Sequence, residues 1–178
     1  MTPQELKNSI LQLAIQGKLV EQRAEEGTGE QLYREILAEK AKLLKTGEIK
    51  KEKHHPEIAE DEKPFEIPES WVFARLEDLV CRNIKRGKSP IYATSSNILV
   101  FAQKCNAKTG VIAMNLAQYL DESTINKYPE EEFMRHLDII VNSTGNGTLG
   151  RIGLFRESDN PSKLRIVPDS HVAIIRTC

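Results

Sequence analysis

Residues 138–153, Asp-Ile-Ile-Val-Asn-Ser-Thr-Gly-Asn-Gly-Thr-Leu-Gly-Arg-Ile-Gly, constrain the fold more than any other stretch of this chain. The run opens with Ile139, Ile140 and Val141, three consecutive β-branched residues that favour a packed, pleated surface. It then breaks into small polar residues and glycines before a second apolar run over residues 152–155. Two strands joined by a glycine-rich loop follow from that pattern. Glycine permits positive φ and lets backbone N–H groups approach a ligand without an intervening Cβ. Asn, Ser and Thr add short hydrogen-bonding arms, and Arg151 adds a fixed positive charge. Such a loop suits phosphate oxygens or base edges, and an ordinary hairpin turn uses the same residues. Both readings stand at this point.

Nucleotide-hydrolysing chemistry is excluded here. A P-loop needs Gly-x-x-x-x-Gly-Lys-Ser/Thr ahead of a helix, whereas Arg151 follows Gly150 and the next residues are strand-like. Gly145, Gly147 and Gly150 match Gly-x-Gly-x-x-Gly by letters, but they lead into Ile-Gly-Leu-Phe rather than a helix, outside any βαβ unit.

Ahead of this stretch the chain changes character twice. Thr2, Pro3 and Glu5 form a helix start with a capping box, Leu6, Ile10, Leu13 and Ala14 recur at helical spacing, and Gly17 stops the helix. Thr28 and Gln31 form another capping box and begin a second helix, whose apolar stripe includes Leu32, Ile36 and Leu44 and which ends at Gly47. Each amphipathic helix needs a partner for its stripe. Residues 48–63 are rich in Lys, Glu, Asp and His and read as an exposed linker. His54 and His55 in it are polar spacers rather than metal ligands, having no ligand cluster beside them. Residues 64–178 form the globular part, with Phe65, Ile67 and Trp71 as anchors at its entry. Residues 72–76 read as a strand, residues 98–101 as a buried strand, residues 121–128 as a helical turn, and residues 164–167 and 171–176 as two closing strands. The class expected is α+β: an amino-terminal helical hairpin or separate helices, then a mixed, β-rich domain. A last strand running straight to Cys178 suggests a domain cut short at its carboxyl end.

Charge distribution says more than net charge, which is −1. No acidic residue occurs between Leu79 and Gln118, yet Arg82, Lys85, Arg86, Lys88, Lys104 and Lys108 all do. Such a block is either an electrostatic footprint for phosphates or a solvated face. No apolar run approaches the roughly 20 residues that span a bilayer. Three widely spaced cysteines form no metal-ligand set and fit a reducing cytoplasm.

Several segments together resemble the specificity subunit of type I restriction–modification enzymes, in its amino-terminal portion with the first target-recognition domain. They are residues 6–20, the helix over 31–44, Pro64-Phe65-Glu66-Ile67-Pro68-Glu69-Ser70-Trp71, Gly87-Lys88-Ser89-Pro90-x-Tyr92, Gln103-Lys104, residues 138–151 and Asp169-Ser170-His171-Val172. The resemblance implies a non-catalytic subunit that reads one half of a split site on double-stranded DNA. It implies docking to methyltransferase subunits and to a motor-nuclease subunit. S-adenosylmethionine, ATP and Mg are then expected on those partners, and this chain binds no cofactor, metal, small-molecule substrate or membrane. The chain fits this in lacking an Asn-Pro-Pro-Tyr type methyltransferase motif and a P-loop. It departs from the family in carrying one recognition domain without a long helical spacer after it. A protein-interaction module, or a truncated subunit without independent DNA reading, is the alternative.

On that resemblance Lys85, Arg86, Lys88, Lys104 and Arg151 are expected to meet phosphates and fix register. Ser89, Tyr92, Gln103, Asn142, Ser143, Thr144, Asn146, Thr148 and His171 are expected to meet phosphates or base edges. Asp138, without a partner carboxylate, reads as a strand-end hydrogen-bond acceptor rather than a catalytic acid.

Overall fold

The structure is a computed structural model and describes residues 1–49 and 56–178. His54 and His55, and part of the expected linker, lie outside the described residues. The chain divides into two compact units, Met1–Leu79 with Cys178, and Val80–Thr177.

In the first unit α1 spans Pro3–Ile15 and α2 spans Gly29–Thr46. The capping box at Thr2 forms in full: Glu5 N–H donates to Thr2 Oγ1 at 3.2 Å, and Thr2 N–H donates to Glu5 Oε2 at 2.7 Å. At Thr28 only half of the box forms. Thr28 Oγ1 accepts from Gln31 N–H at 3.2 Å, but the Gln31 amide reaches forward to Glu35. Gly47, in the left-handed region, closes α2. Neither helix buries a residue completely, and Leu6, Ile10, Leu13, Leu32, Leu37 and Leu44 remain exposed. Among the described residues the stripe of α1 is thus largely uncovered, while α2 half-buries Tyr33, Ile36 and Leu43 and donates from Tyr33 Oη to Asp78 Oδ2 at 3.0 Å. Trp71 anchors through its indole N–H, which donates to Gln22 Oε1 at 2.6 Å. Of residues 72–76, expected as a strand, residues 72–75 form no strand and Leu76 opens a 3-10 turn over Leu76–Leu79. β-branched and aromatic residues stabilise a strand through cross-strand neighbours, and no strand lies beside this segment.

The second unit holds eight strands: β1 Lys85–Arg86, β2 Tyr92–Ala93, β3 Ile98–Phe101, β4 Gln118–Leu120, β5 Ile139–Asn142, β6 Ile152–Leu154, β7 Arg165–Pro168 and β8 Val172–Ile175. One sheet runs β1-β8-β5-β6 and is antiparallel throughout. The other runs β2-β4-β3-β7, with β3 and β7 parallel. β5 and β6 pair as the expected hairpin around the glycine-rich loop. An α+β architecture, with helices first and a mixed sheet-rich region after them, is borne out.

The burial of β3 explains its continuous apolar sequence. Leu99 and Phe101 join Ile166, Ile140, Val172 and Ile174 in the core shared by the two sheets. Ile98 and Val100 point the other way, into a second cluster with Leu120, Tyr128, Phe133 and Val167. A strand buried on both faces has no polar side to alternate with.

Candidate nucleic-acid interface

Strand register brings four loops to one end of the second unit. β3 and β7 are parallel with Phe101 opposite Pro168, so the turn over Gln103–Cys105 and the turn at residues 169–171 leave the sheet side by side. β8 starts directly after that turn. β5 runs antiparallel to it with Asn142 opposite Val172, which places the glycine-rich loop alongside. β1 is antiparallel to β8 on its other side with Arg86 opposite Ala173, which delivers Gly87 to the same place.

Hydrogen bonds join the four. Asp169 N–H donates to Phe101 O at 3.0 Å, and Gly87 N–H to Val172 O at 3.0 Å. Asp169 Oδ1 accepts from His171 N–H at 2.8 Å. The His171 carbonyl accepts from Ser143 N–H at 2.9 Å and from Ser143 Oγ at 3.1 Å, while Thr144 Oγ1 and His171 Nδ1 share a further bond. Thr148 Oγ1 donates to Gln103 Oε1 at 2.8 Å. Within the loop, Gly145, Gly147 and Gly150 all have positive φ (103°, 76° and 77°), which lets the chain turn tightly.

Gln103, Ser143, Thr144, Thr148 and His171 are therefore brought together. Asn146 is exposed in the loop, Ser89 is exposed beyond Gly87, and Tyr92 is exposed on β2. Partial desolvation of its hydroxyl, with the nearby Asp169 and Cys105, pushes the phenol of this otherwise exposed Tyr92 above its ordinary value. Arg86 is exposed, and Lys104 is exposed with its ammonium on Gln118 Oε1.

Other expected contacts are engaged inside the protein. Asn142 is fully buried, its amide N–H bonded to Gln103 O at 3.0 Å, so its side chain has no surface from which to meet DNA. Lys85 and Lys88 both turn to the buried carboxylate of Glu132, at 2.9 and 3.4 Å. Half of their combined charge is offset there. The Arg151 guanidinium bonds Gly147 O at 2.9 Å and Asn106 O at 3.3 Å, bracing the loop from within. The buried groups Asn106 and Glu132 have no sequence signal of their own, since each acts on a partner distant in the chain, whereas Asp169 acts on His171 two residues on.

Asp169 makes a pH prediction. Burial raises its carboxyl pKa, opposed by the His171, Gln103 and Val172 N–H groups and by the His171 side chain. A carboxyl raised on folding contributes stability fully below its unfolded value, about 3.9, and that contribution is lost as pH rises through the folded value. Asp169→Asn cannot ionise. In urea melts from pH 4 to 7, wild type should lose stability relative to Asp169→Asn as pH rises, and parallel curves would refute the assignment.

Among the described residues no helix is long and apolar enough to cross a membrane. No family model matches the chain. It is 51% identical over 71 residues to the Escherichia coli type I restriction enzyme EcoAI specificity subunit, covering 40% of this chain and 12% of that protein. It is 42% identical over 85 residues to the Escherichia coli EcoEI specificity subunit, covering 48% of this chain and 14% of that protein. The chain thus spans only a small part of the length of these relatives, and over that part the resemblance read from the sequence is borne out.

Proposed function

We propose that this chain, related to type I restriction enzyme specificity subunits, is a non-catalytic DNA-recognition piece that reads one half-site of a split target. The convergence of Gly87 with the 103–106, 142–151 and 169–171 segments at one end of the second unit carries this reading. Donors and acceptors of several kinds stand there on backbone braced by hydrogen bonds between the segments. Phosphates would be met by Arg86, Lys104 and the outer parts of Lys85 and Lys88, and base edges by Gln103, Asn146, Thr148 and His171. The exposed apolar residues of α1 and α2, among them Leu6, Ile10 and Leu32, are the docking faces for methyltransferase subunits in the cytoplasm. S-adenosylmethionine, ATP and Mg belong to the methyltransferase and motor-nuclease partners.

The test is duplex titration across salt concentrations, on the chain alone and with its methyltransferase partner. The chain alone should bind weakly. Arg86→Ala should weaken binding on all sequences alike and lower the salt slope by about 0.9 per lost phosphate contact. Asn146→Ala should instead relax preference at one base pair by about 1–3 kcal/mol. Binding without salt dependence in either state would sink the DNA reading and favour a protein-interaction module, for which the exposed helix stripes already speak.

A further inference from the structure

Two carboxamides sit in the interior behind the glycine-rich loop, and nothing in the contact scheme above uses them. Asn106 and Asn142 are both fully buried. Burying an amide costs free energy unless its hydrogen bonds are replaced. Asn106 Nδ2 donates to Asn142 Oδ1 at 3.1 Å and to the Arg151 carbonyl at 3.1 Å. A backbone carbonyl can only accept, so the Arg151 oxygen fixes which end of the Asn106 amide faces it. Asn142 Nδ2 in turn donates to the Gln103 carbonyl. Arg151 Nη1 returns a bond to the Asn106 carbonyl.

These bonds form a closed circuit. Residues 142 and 151 are the two feet of the loop, already paired by Asn142 N–H to Arg151 O at 3.0 Å. The circuit fastens both feet to the Gln103–Cys105 turn, which otherwise meets the loop through the Thr148–Gln103 bond. Asn106 Oδ1 has no hydrogen-bond partner. It lies against Gly153, where a Cβ would stand only 2.7 Å away. The interior thus keeps an incompletely satisfied amide, and the bonds that amide does make all hold the loop to the turn.

We propose that Asn106 and Asn142 are positioning residues for recognition: they hold the glycine-rich loop and the 103–105 turn as one rigid face, so base preference depends on them although neither reaches the surface. This rests on the DNA reading above. It predicts a separation that a purely structural role does not. Losing the circuit should loosen the loop and blur preference, while charge, and with it the salt dependence of binding, is retained.

The test uses the full chain and the paired change Asn106→Leu with Asn142→Leu, which replaces both partners by apolar groups of similar size and avoids stranding one amide opposite the other. Asn106→Asp, which keeps shape and removes the donors, is the companion variant. Hydrogen exchange of the 143–150 amides is measured without DNA. Selection from a random duplex library at low salt then gives base preference. Exchange should accelerate about tenfold or more, and preference at one or more positions should fall about tenfold, within the 1–3 kcal/mol that a good base contact supplies. Affinity for unselected duplex should fall far less. A wild-type chain that selects sequences, with a paired variant that selects them equally well, overturns the positioning role alone. A wild-type chain that selects nothing, either alone or with its methyltransferase partner, overturns the DNA reading and this assignment with it.

Discussion

Asp138→Ala should destabilise the Val80–Thr177 unit by about 3–5 kcal/mol, a large fraction of the roughly 5–15 kcal/mol that keeps an ordinary domain folded. Asp138 is fully buried at the foot of β5, and Arg176 reaches it from the end of β8. The pair is bidentate: Arg176 Nε donates to Oδ1 and Nη2 to Oδ2, each at 2.7 Å. Arg135 N–H donates to Oδ2 at 2.7 Å, and Arg176 Nη2 also holds Phe133 O at 2.8 Å. Removing the carboxylate leaves a largely buried guanidinium without a counter-charge. Arg82 makes this worse, since burial and the like charge of Arg176 already pull its guanidinium below the usual value while Asp138 opposes that pull. The double change Asp138→Leu with Arg176→Met should be much milder, because it strands no charge. Urea unfolding of both variants decides the matter. A single variant as stable as wild type would show that the ion pair contributes nothing net.

Gly87→Ala should be nearly as damaging, for a steric reason. A Cβ at residue 87 would stand 2.0 Å from Pro168 O and 2.6 Å from Asp169 O, both backbone atoms that cannot swing aside. Either β1 leaves β8 or the 169–171 turn moves. We expect a loss at or above the upper end of the roughly 1–3 kcal/mol typical of overpacking. DNA affinity and preference should fall together, since Gly87 links the basic loop to the turn carrying His171. Gly147 offers the contrast. A Cβ there meets nothing within 4 Å, so only its positive φ resists substitution, at about 1–2 kcal/mol. Thermal melts and duplex binding of both alanine variants would test the ordering. It fails if Gly87→Ala proves the milder change.

What could be read from the chain alone was what is encoded over short distances. The box between Thr2 and Glu5 joins residues three apart, and α1 begins there. The apolar run at residues 98–101 and the β-branched run before the glycine loop became β3 and β5 because burial on a sheet selects such residues wherever they sit. The hairpin around residues 142–151 followed from glycine and a second apolar run. β1, β2 and β4 were not legible, because two or three residues such as Lys85-Arg86 cannot display a period. Residues 72–76 carried the composition of a strand and lacked a partner strand.

The site was legible only as a set of segments. Gln103, Thr148 and His171 meet because β3 and β7 are parallel and β8 returns beside β5, a matter of long-range register. Whether a polar side chain faces outward depended on partners far along the chain. Lys85 turns to Glu132, 47 residues away, and Asn142 to Asn106, 36 away. The sequence by itself determined which stretches would be helix, buried strand and glycine loop, because capping and hydrophobic runs act between near neighbours. Only the tertiary structure decided which lysines are neutralised, which asparagines are buried and which arms share one face, because charge pairing and burial are properties of what the fold places opposite each residue.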